Sequence, residues 1–307
     1  MTHINPETDN KPVVTILGPT ASGKTRLAVA LAEHFNGEVI SADSRQVYRG
    51  MDIGTGKDLL EYGQIPYHLI DIVNPGYEYN LFEFCQDTIN SLSRIWHRGA
   101  LPIVAGGTGL YVDALISRYQ LSNAERNEQL RKDLEQKSDE ELVRMLFALK
   151  PDQHNTTDLL DRNRLVRAIE IAQAEQNSAQ KLVWPPFRTI NLGINIDRNT
   201  CRRRITERLK QRFKQGMIEE VETLHRQGLT WQQLDFYGLE YRYIALYLQN
   251  KLNYNDMFQK LNAAIHTFAK QQYKWFRKME DKGVRIQWID FGNKLEEHAI
   301  QAVRDTL

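Results

Sequence analysis

Short apolar runs alternate with amphipathic stretches along the first third of the chain. The runs have the length and the β-branched composition of strands buried in a parallel sheet. They lie at 13–17, 38–41, 68–72 and 101–105. Between the last two, Leu81 to Arg98 carries its apolar residues on one stripe, which predicts a helix. Strands that alternate with helices favour an α/β fold, in which crossover helices cover a parallel sheet.

The pattern changes near Gln120. Residues 120–188 are charged and have a helical periodicity, and the strand pattern returns at 189–196. Two further helices are predicted over Arg202 to Gln227 and Leu261 to Glu280, followed by a strand over Val284 to Ile289. We therefore predict three parts: an α/β core over 1–119, a helical insertion over 120–188 and a return to the core over 189–307.

A glycine-rich segment follows the first predicted strand and opens the first predicted helix. It reads Gly18-Pro19-Thr20-Ala21-Ser22-Gly23-Lys24-Thr25 and fits the phosphate-binding loop pattern in full. Backbone N–H groups of such a loop and of the helix start converge on a polyphosphate. Lys24 adds a positive charge there, and the Thr25 hydroxyl can bind Mg²⁺. The expected fold is a P-loop NTPase-like sheet, and the loop taken alone suggests ATP or GTP.

Two acidic residues at or near predicted strand ends are candidates for the chemistry of the site. Asp43 lies at a carboxyl strand end, where a carboxylate could bind Mg²⁺, accept a substrate proton or cap the next helix. Asp71, after Leu69 and Ile70, could instead be a Walker-B-type metal ligand, but a turn former at a strand end is the simpler interpretation. The segment 104–109 ends another strand in glycines, where ligands gather in open α/β sheets.

Composition narrows the class of protein. The chain has 307 residues, 41% hydrophobic and 26% charged, which is enough for one large or two ordinary domains with a sizeable core. No apolar run has the length of a signal peptide core at the start or of a membrane span elsewhere, so neither is expected. Cys85 and Cys201 are too few for a disulfide framework or a cysteine-rich zinc site, and they suit a reducing cytoplasm.

Positive charge is concentrated in three clusters, although the formal net charge is only +1. The clusters lie at 202–214, 162–167 and 270–278. In the first, Arg204, Arg208 and Arg212 recur every four residues and share a helix face. In the third, aromatic residues interleave with the charges, a combination that suits phosphates and unpaired bases of RNA. Solvated helix faces explain any one cluster equally well, but three clusters beside a phosphate loop favour a polyanionic partner.

Taken together, these segments resemble the tRNA dimethylallyltransferases, also called tRNA isopentenyltransferases. The resemblance spans roughly residues 12–290 and rests on the order and spacing of the segments 18–25, 43–55, 66–71, 106–111, 163–170 and 204–208. It implies transfer of a dimethylallyl group from dimethylallyl diphosphate to N6 of the adenine at tRNA position 37, giving N6-isopentenyladenosine and diphosphate. It further implies a monomeric cytoplasmic enzyme that uses Mg²⁺ and binds the anticodon stem-loop of tRNA.

The resemblance also implies roles for individual residues. The loop at 18–25 would hold the diphosphate, whose departing charge Lys24, Arg208 and Thr25 with Mg²⁺ would neutralise. Thr20 would hydrogen-bond near the bridging oxygen, Asp43 would be the general base for the adenine amino group, and Thr108 would help to hold the adenine. The implied tRNA contacts are Asp43, Ser44, Arg45, Gln46, Thr108, Arg131, Asn163, Arg164, Leu165, Val166, Arg167, Lys270, Gln271, Gln272, Tyr273, Lys274, Trp275, Phe276 and Arg277.

Two segments depart from the family pattern. The segment Gly238 to Arg242 is two residues longer than that pattern, and His266 to Gln272 lacks two expected arginines.

Other functions stay open beside tRNA prenylation. An enzyme that prenylates free adenine nucleotides would need neither the insertion nor the basic clusters. An ATP-dependent small-molecule kinase would turn over ATP. An RNA-binding protein without chemistry would not need Lys24, Thr25 and Asp43 intact.

Overall fold

A computed structural model describes residues 11–124, 126–151, 159, 161–176 and 181–307. The chain divides into two compact units. One takes in the chain up to Arg118 and from Pro185 onwards, and the other is Tyr119–Trp184. The insertion was predicted over 120–188. The second unit ends four residues earlier, at Trp184, and a strand of the sheet begins at Arg188.

A parallel sheet forms the centre of the first unit. Within the described residues its strands are β1 (Pro12–Leu17), β2 (Gly37–Ser41), β3 (Tyr67–His68), β4 (Leu101–Ala105), β5 (Arg188–Asn195) and β6 (Gln287–Asp290). Their order across the sheet is β3-β2-β4-β1-β5-β6, and all neighbours are parallel. Val14 of β1 pairs with Ile103 on one side and Ile190 on the other. The predicted α/β class with a parallel sheet is therefore confirmed.

Helices connect the strands. The described α-helices are α1 (Lys24–Phe35), α2 (Leu81–His97), α3 (Gly109–Ile116), α4 (Glu128–Glu135), α5 (Asp139–Leu149), α6 (Arg162–Gln176), α7 (Arg198–Lys214), α8 (Met217–Arg226), α9 (Trp231–Phe236), α10 (Leu239–Leu248), α11 (Tyr254–Asp281) and α12 (Leu295–Arg304). Leu27 and Leu31 of α1 and Ala299 of α12 are buried in one core with the sheet. None of the described helices is long and apolar enough to cross a membrane.

Two predicted elements differ from those in the structure. The strand predicted over 68–72 is only two residues long, because Leu69 and Asp71 adopt left-handed backbone angles, φ 61° and 57°, that a strand cannot contain. The single helix predicted over Arg202 to Gln227 is two helices, α7 and α8. They are separated at Gly216, whose φ of 98° breaks the helical path.

The second unit has its own small core. Buried leucines of α4, α5 and α6 meet there, together with Ile169 and Ala172. Ser138 begins α5 in a capping box with Glu141. Beneath this core, the buried Glu170 accepts hydrogen bonds from Arg131 at 2.8 Å and from Arg167 at 3.0 Å. Leucine packing and the ion pairs of Glu170 therefore both contribute to holding this unit together.

Candidate active site

The phosphate-binding loop connects β1 to α1 at the carboxyl edge of the sheet. Ala21 and Gly23 have φ values of 62° and 90°, which turn the chain tightly into the helix. The first N–H groups of α1 have no acceptor within the helix, and no side chain caps them. Most residues of the loop from Thr20 to Thr25 line a cleft of about 770 Å³. This part of the sequence therefore forms an anion-binding helix start at the floor of a cavity.

Lys24 is folded back over the loop. Its ammonium group donates to the Pro19 carbonyl oxygen at 2.8 Å. Burial and, to a smaller extent, the charge of Arg208 lower the pKa of Lys24 to about 8, against the opposing effect of Asp43. The lowered pKa thus reflects mainly the cost of burying the charged ammonium group, a cost that a bound polyphosphate would offset.

Three arginines of α7 project into the same cleft at spacings of four residues. Arg204 donates to the Ala21 carbonyl oxygen at 2.7 Å. Arg208 donates to Gly56 O at 3.4 Å and to the Asp58 carboxylate at 3.0 Å. Arg212, which is buried, donates to Gly54 O at 3.3 Å and lies 3.6 Å from Glu240. Together with Lys24 they make one wall of the cleft cationic.

Asp43 and Thr108 also line this cleft. One Asp43 oxygen accepts the backbone N–H of Arg45 at 2.8 Å, and the Thr108 hydroxyl accepts the backbone N–H of Ser44 at 3.0 Å. The residues after Asp43 form a turn, so it caps no helix. Of the roles left open for Asp43, proton acceptor and metal ligand therefore remain.

Asp71 does not take part in the cleft lining. It forms a close ion pair with the buried Lys57, which also donates to the Tyr48 carbonyl oxygen at 2.7 Å and to Asp52 at 2.6 Å. Its left-handed backbone and this partner agree with the turn former, not with the metal ligand. Lys57 is a contact that the sequence did not indicate.

Gln272 of α11 bridges the two glycine-rich loops. Its carbonyl oxygen accepts the backbone N–H of Thr20 at 2.8 Å, and its amide nitrogen donates to Gly107 O at 2.7 Å. Its side chain is buried, as are those of Phe276 and Leu165. All three were predicted as tRNA contacts. Burial leaves the side chains of Phe276 and Leu165 no surface for RNA, whereas Gln272 lines the cleft. The signal that could have separated them is the helical period, which places them on the core faces of α11 and α6.

The remaining predicted tRNA contacts fall into three groups. On α11, Lys270, Gln271, Lys274 and Arg277 are exposed, whereas Tyr273 and Trp275 are half-buried. On α6, Asn163 and Arg164 are exposed, Val166 packs against the core, and Arg167 is paired with Glu170, as is Arg131 of α4. Beside the cleft, Arg45 stacks on the Phe236 ring at 4.6 Å and Gln46 donates to Gly56 O at 3.0 Å.

The donor set for a metal ion is sparse. Among the described residues, no group of three or more His, Cys, Asp and Glu side chains could hold one. The Thr25 hydroxyl and the Asp43 carboxylate line the cleft, and Mg²⁺ commonly takes one or two protein ligands and completes its shell with water and substrate phosphates. These residues therefore fit Mg²⁺ as a companion of a bound diphosphate.

A phosphate-binding loop, a cationic helix and a carboxylate in one cleft are features of an α/β enzyme of the P-loop type. The IPP transferase family profile matches residues 46–279, and the isopentenyl transferase profile matches residues 11–62. The chain therefore belongs to the tRNA dimethylallyltransferase family of prenyltransferases.

Known proteins resemble this chain over most of its length. The tRNA dimethylallyltransferase 1 of Geotalea uraniireducens (strain Rf4) is 56% identical, over 93% of this chain and 95% of that protein. The crystal structure of the full-length tRNA isopentenylpyrophosphate transferase from Bacillus halodurans is 31% identical with a TM-score of 0.70, covering 97% of this chain and 95% of that one. A eukaryotic dimethylallyltransferase, solved acting on tRNA, shares the fold with a TM-score of 0.77 at 24% identity, over 96% and 78%.

Proposed function

We propose that this chain transfers the dimethylallyl group of dimethylallyl diphosphate to N6 of adenine 37 in tRNA and releases diphosphate. What supports the proposal is that Lys24, Arg208 and Asp43 line one cleft in a chain of this family. The two cations suit a leaving diphosphate, and the carboxylate suits the proton of an amine. The partners are then dimethylallyl diphosphate and the anticodon stem-loop of tRNA, met by a monomer in the cytoplasm.

The donor half of the reaction belongs to the loop at 18–25 and α7. As the bond between the allylic carbon and the bridging oxygen breaks, its electrons leave with the diphosphate. The loop N–H groups, Lys24 and Arg208 stabilise the growing negative charge, and Thr20 lies beside the bridging oxygen. When bound, Mg²⁺ held by the Thr25 hydroxyl and the diphosphate would neutralise more of that charge.

The acceptor half belongs to Asp43 and Thr108. The N6 lone pair of the adenine forms the new carbon–nitrogen bond, and Asp43 takes the proton that the amine then loses. The backbone N–H of Arg45 holds one Asp43 oxygen, which leaves the other for the proton. The adenine must leave its stack to reach the cleft, at a cost of a few kcal/mol. Thr108, whose hydroxyl accepts the Ser44 N–H, would help to hold the adenine there.

Exposed polar residues would supply contacts that offset this cost. On α11 these are Lys270, Gln271, Lys274 and Arg277, and on α6 they are Asn163 and Arg164. Lysine and arginine contacts to phosphates release counterions, so tRNA affinity should fall steeply with salt. Arg131 and Arg167 are engaged with Glu170 and, on this proposal, stabilise the fold of the second unit more than they contact tRNA.

The deciding experiment supplies labelled dimethylallyl diphosphate in three parallel reactions, with unmodified tRNA, with free AMP and with ATP. We expect label in tRNA at adenine 37 and none in AMP. Label in AMP alone would favour the free-nucleotide prenyltransferase, and ATP hydrolysis without prenyl transfer would favour the kinase. Tight tRNA binding without any transfer would leave an RNA-binding protein.

Asp43→Asn tests the base separately. The amide oxygen of asparagine can still accept the Arg45 N–H, so the turn is kept while the proton acceptor is lost. We expect kcat to fall by about a hundredfold or more, with tRNA affinity within about twofold of wild type. Turnover near the wild-type rate would remove Asp43 from the role of base.

A further inference from the structure

Glu220 of α8 does not line the cleft, yet it accepts four hydrogen bonds, two of them from the cleft-lining residues Gly54 and Tyr241. One carboxylate oxygen accepts the backbone N–H groups of Asp52 at 2.8 Å and Ile53 at 2.7 Å. The other accepts the N–H of Gly54 at 3.0 Å and the hydroxyl of Tyr241 at 2.7 Å. Three consecutive N–H groups on one anion form a backbone nest, so this carboxylate fixes the amide side of the loop at 52–56.

The carbonyl side of the same loop is held from the cleft. Gly54 O accepts from Arg212 at 3.3 Å. Gly56 O accepts from Gln46 at 3.0 Å and from Arg208 at 3.4 Å. Arg208 also pairs with Asp58, two residues further on, at 3.0 Å. The loop thus connects Glu220 on one side with the guanidinium of Arg208 on the other.

The packing of the loop leaves it little freedom. A Cβ at Gly54 would lie 2.6 Å from Cζ of Tyr241, and one at Gly56, where φ is 62°, would lie 1.5 Å from the Arg212 guanidinium. Only glycine allows such approach at either position. A displacement of the loop would therefore be passed on to the arginines that rest against it.

We infer that Glu220 is a positioning residue for Arg208: by anchoring the loop at 52–56 it sets where the Arg208 guanidinium faces the cleft. The inference rests on the proposed function, in which Arg208 stabilises the departing diphosphate. Glu220 touches neither substrate, and its effect is carried through Gly56 and Asp58. This role adds a residue of α8 to the machinery without adding it to the cleft.

Glu220→Gln is the primary test. Glutamine replaces one of the two accepting oxygens by an NH₂ group, so at least one backbone N–H of the nest faces another donor. We expect kcat/KM for dimethylallyl diphosphate to fall about ten- to a hundredfold, the scale of a hydrogen bond to a charged group. Affinity for tRNA should stay within about twofold. Glu219→Gln, an exposed neighbour on the same helix, is the matched control and should behave as wild type.

A double variant separates positioning from a general loss of structure. If Glu220 acts through Arg208, then adding Glu220→Gln to Arg208→Ala should lower kcat/KM by less than about twofold further. A purely structural defect would lower both backgrounds equally. Thermal unfolding is measured for each variant. Should Glu220→Gln fail to fold, Tyr241→Phe removes a single donor from the carboxylate and should give a smaller loss with the same dependence on Arg208.

Two outcomes would overturn the inference: a kcat/KM for Glu220→Gln within twofold of wild type, or equal losses with and without Arg208. If the wild-type protein transfers no label at all, it is the proposed function that fails. The same comparison is then made on dimethylallyl diphosphate binding by calorimetry. There, Glu220→Gln should weaken binding in the wild-type background and not in Arg208→Ala.

Discussion

The proton on Lys24 gives a quantitative test of the phosphate site. With a pKa of about 8 in the ligand-free protein, about three quarters of the molecules carry the ammonium charge at pH 7.5 and about one tenth at pH 9. A diphosphate beside the ammonium stabilises the charged form, so the bound protein keeps the proton at both pH values. Because only the charged fraction binds directly, we expect the Kd for dimethylallyl diphosphate to rise about eightfold between these two pH values.

Isothermal titration calorimetry measures this linkage directly. Titrations in two buffers of different ionisation enthalpy should report uptake of about a quarter of a proton at pH 7.5 and about nine tenths at pH 9. Lys24→Arg is the control, because a guanidinium stays charged throughout this range and the variant shares any proton exchange of the ligand itself. Identical pH dependence in the two proteins, or no excess proton uptake by wild type at pH 9, would refute the reasoning.

The lowered pKa of Lys24 also makes the stability of the folded protein depend on pH. The folded-state pKa of Lys24 is lowered from 10.5 to about 8, which corresponds to roughly 3 kcal/mol. The folded protein binds fewer protons than the unfolded chain between these values, so this group makes stability rise with pH there. Below about pH 8 the full cost is present, and a bound diphosphate removes it. Ligand should therefore stabilise the protein more at pH 7 than at pH 10.

Two further predictions concern buried polar groups. Gln272→Leu leaves the Thr20 N–H and the Gly107 carbonyl without their partner. It should cost about 2–5 kcal/mol of stability or an equivalent loss of kcat, with tRNA affinity in filter binding nearly unchanged; a selective loss of tRNA affinity would instead make Gln272 an RNA contact. Burial would raise the pKa of Glu170, but Arg131 and Arg167 hold it below its usual value. Glu170 therefore stabilises the second unit above its unfolded pKa near 4.5 and loses this effect as the pH falls below that value. On acidification, amide hydrogen exchange in α6 should accelerate more in wild type than in Glu170→Gln. Equal acceleration in the two proteins would contradict this.

Local patterns predict those parts of the fold that depend on local rules. β1, β2 and β4 follow from apolar runs of strand length, because a strand buried on both faces needs such a run. The strand predicted over 68–72 overlaps β3 only at His68, because Leu69 and Asp71 adopt left-handed backbone angles that the apolar run does not indicate. The split between α7 and α8 depends on one glycine, which sequence alone does not distinguish from a glycine tolerated within a helix.

In the candidate site, too, contiguous features could be predicted from the sequence and contacts between distant residues could not. The phosphate-binding loop is contiguous, so its eight residues specify their own geometry and could be found from the sequence. The contacts that Gln272 and Glu220 make could not be found in this way, because each reaches backbone groups far along the chain. Gln272 bonds Thr20 across 252 positions and Glu220 bonds Gly54 across 166. Such contacts exist only once the helices after the insertion pack on the sheet, and nothing in the local pattern of α8 or α11 indicates them.

The way in which the cleft holds its cations bears on catalysis. Lys24, Arg204, Arg208 and Arg212 each donate to a backbone carbonyl oxygen, of Pro19, Ala21, Gly56 and Gly54 respectively. A carbonyl orients a cation without cancelling its charge, so the guanidinium and ammonium groups are fixed in direction and still largely available to an anion. Within the part of the chain that the structure describes, Asp58 and Glu240 add ionic partners to two of them. Preorganised charge of this kind stabilises a departing diphosphate most, because little reorganisation is needed when the bond breaks. The loop at 52–56 supplies two of the four carbonyls, and its anchor on Glu220 is therefore part of the same preorganisation.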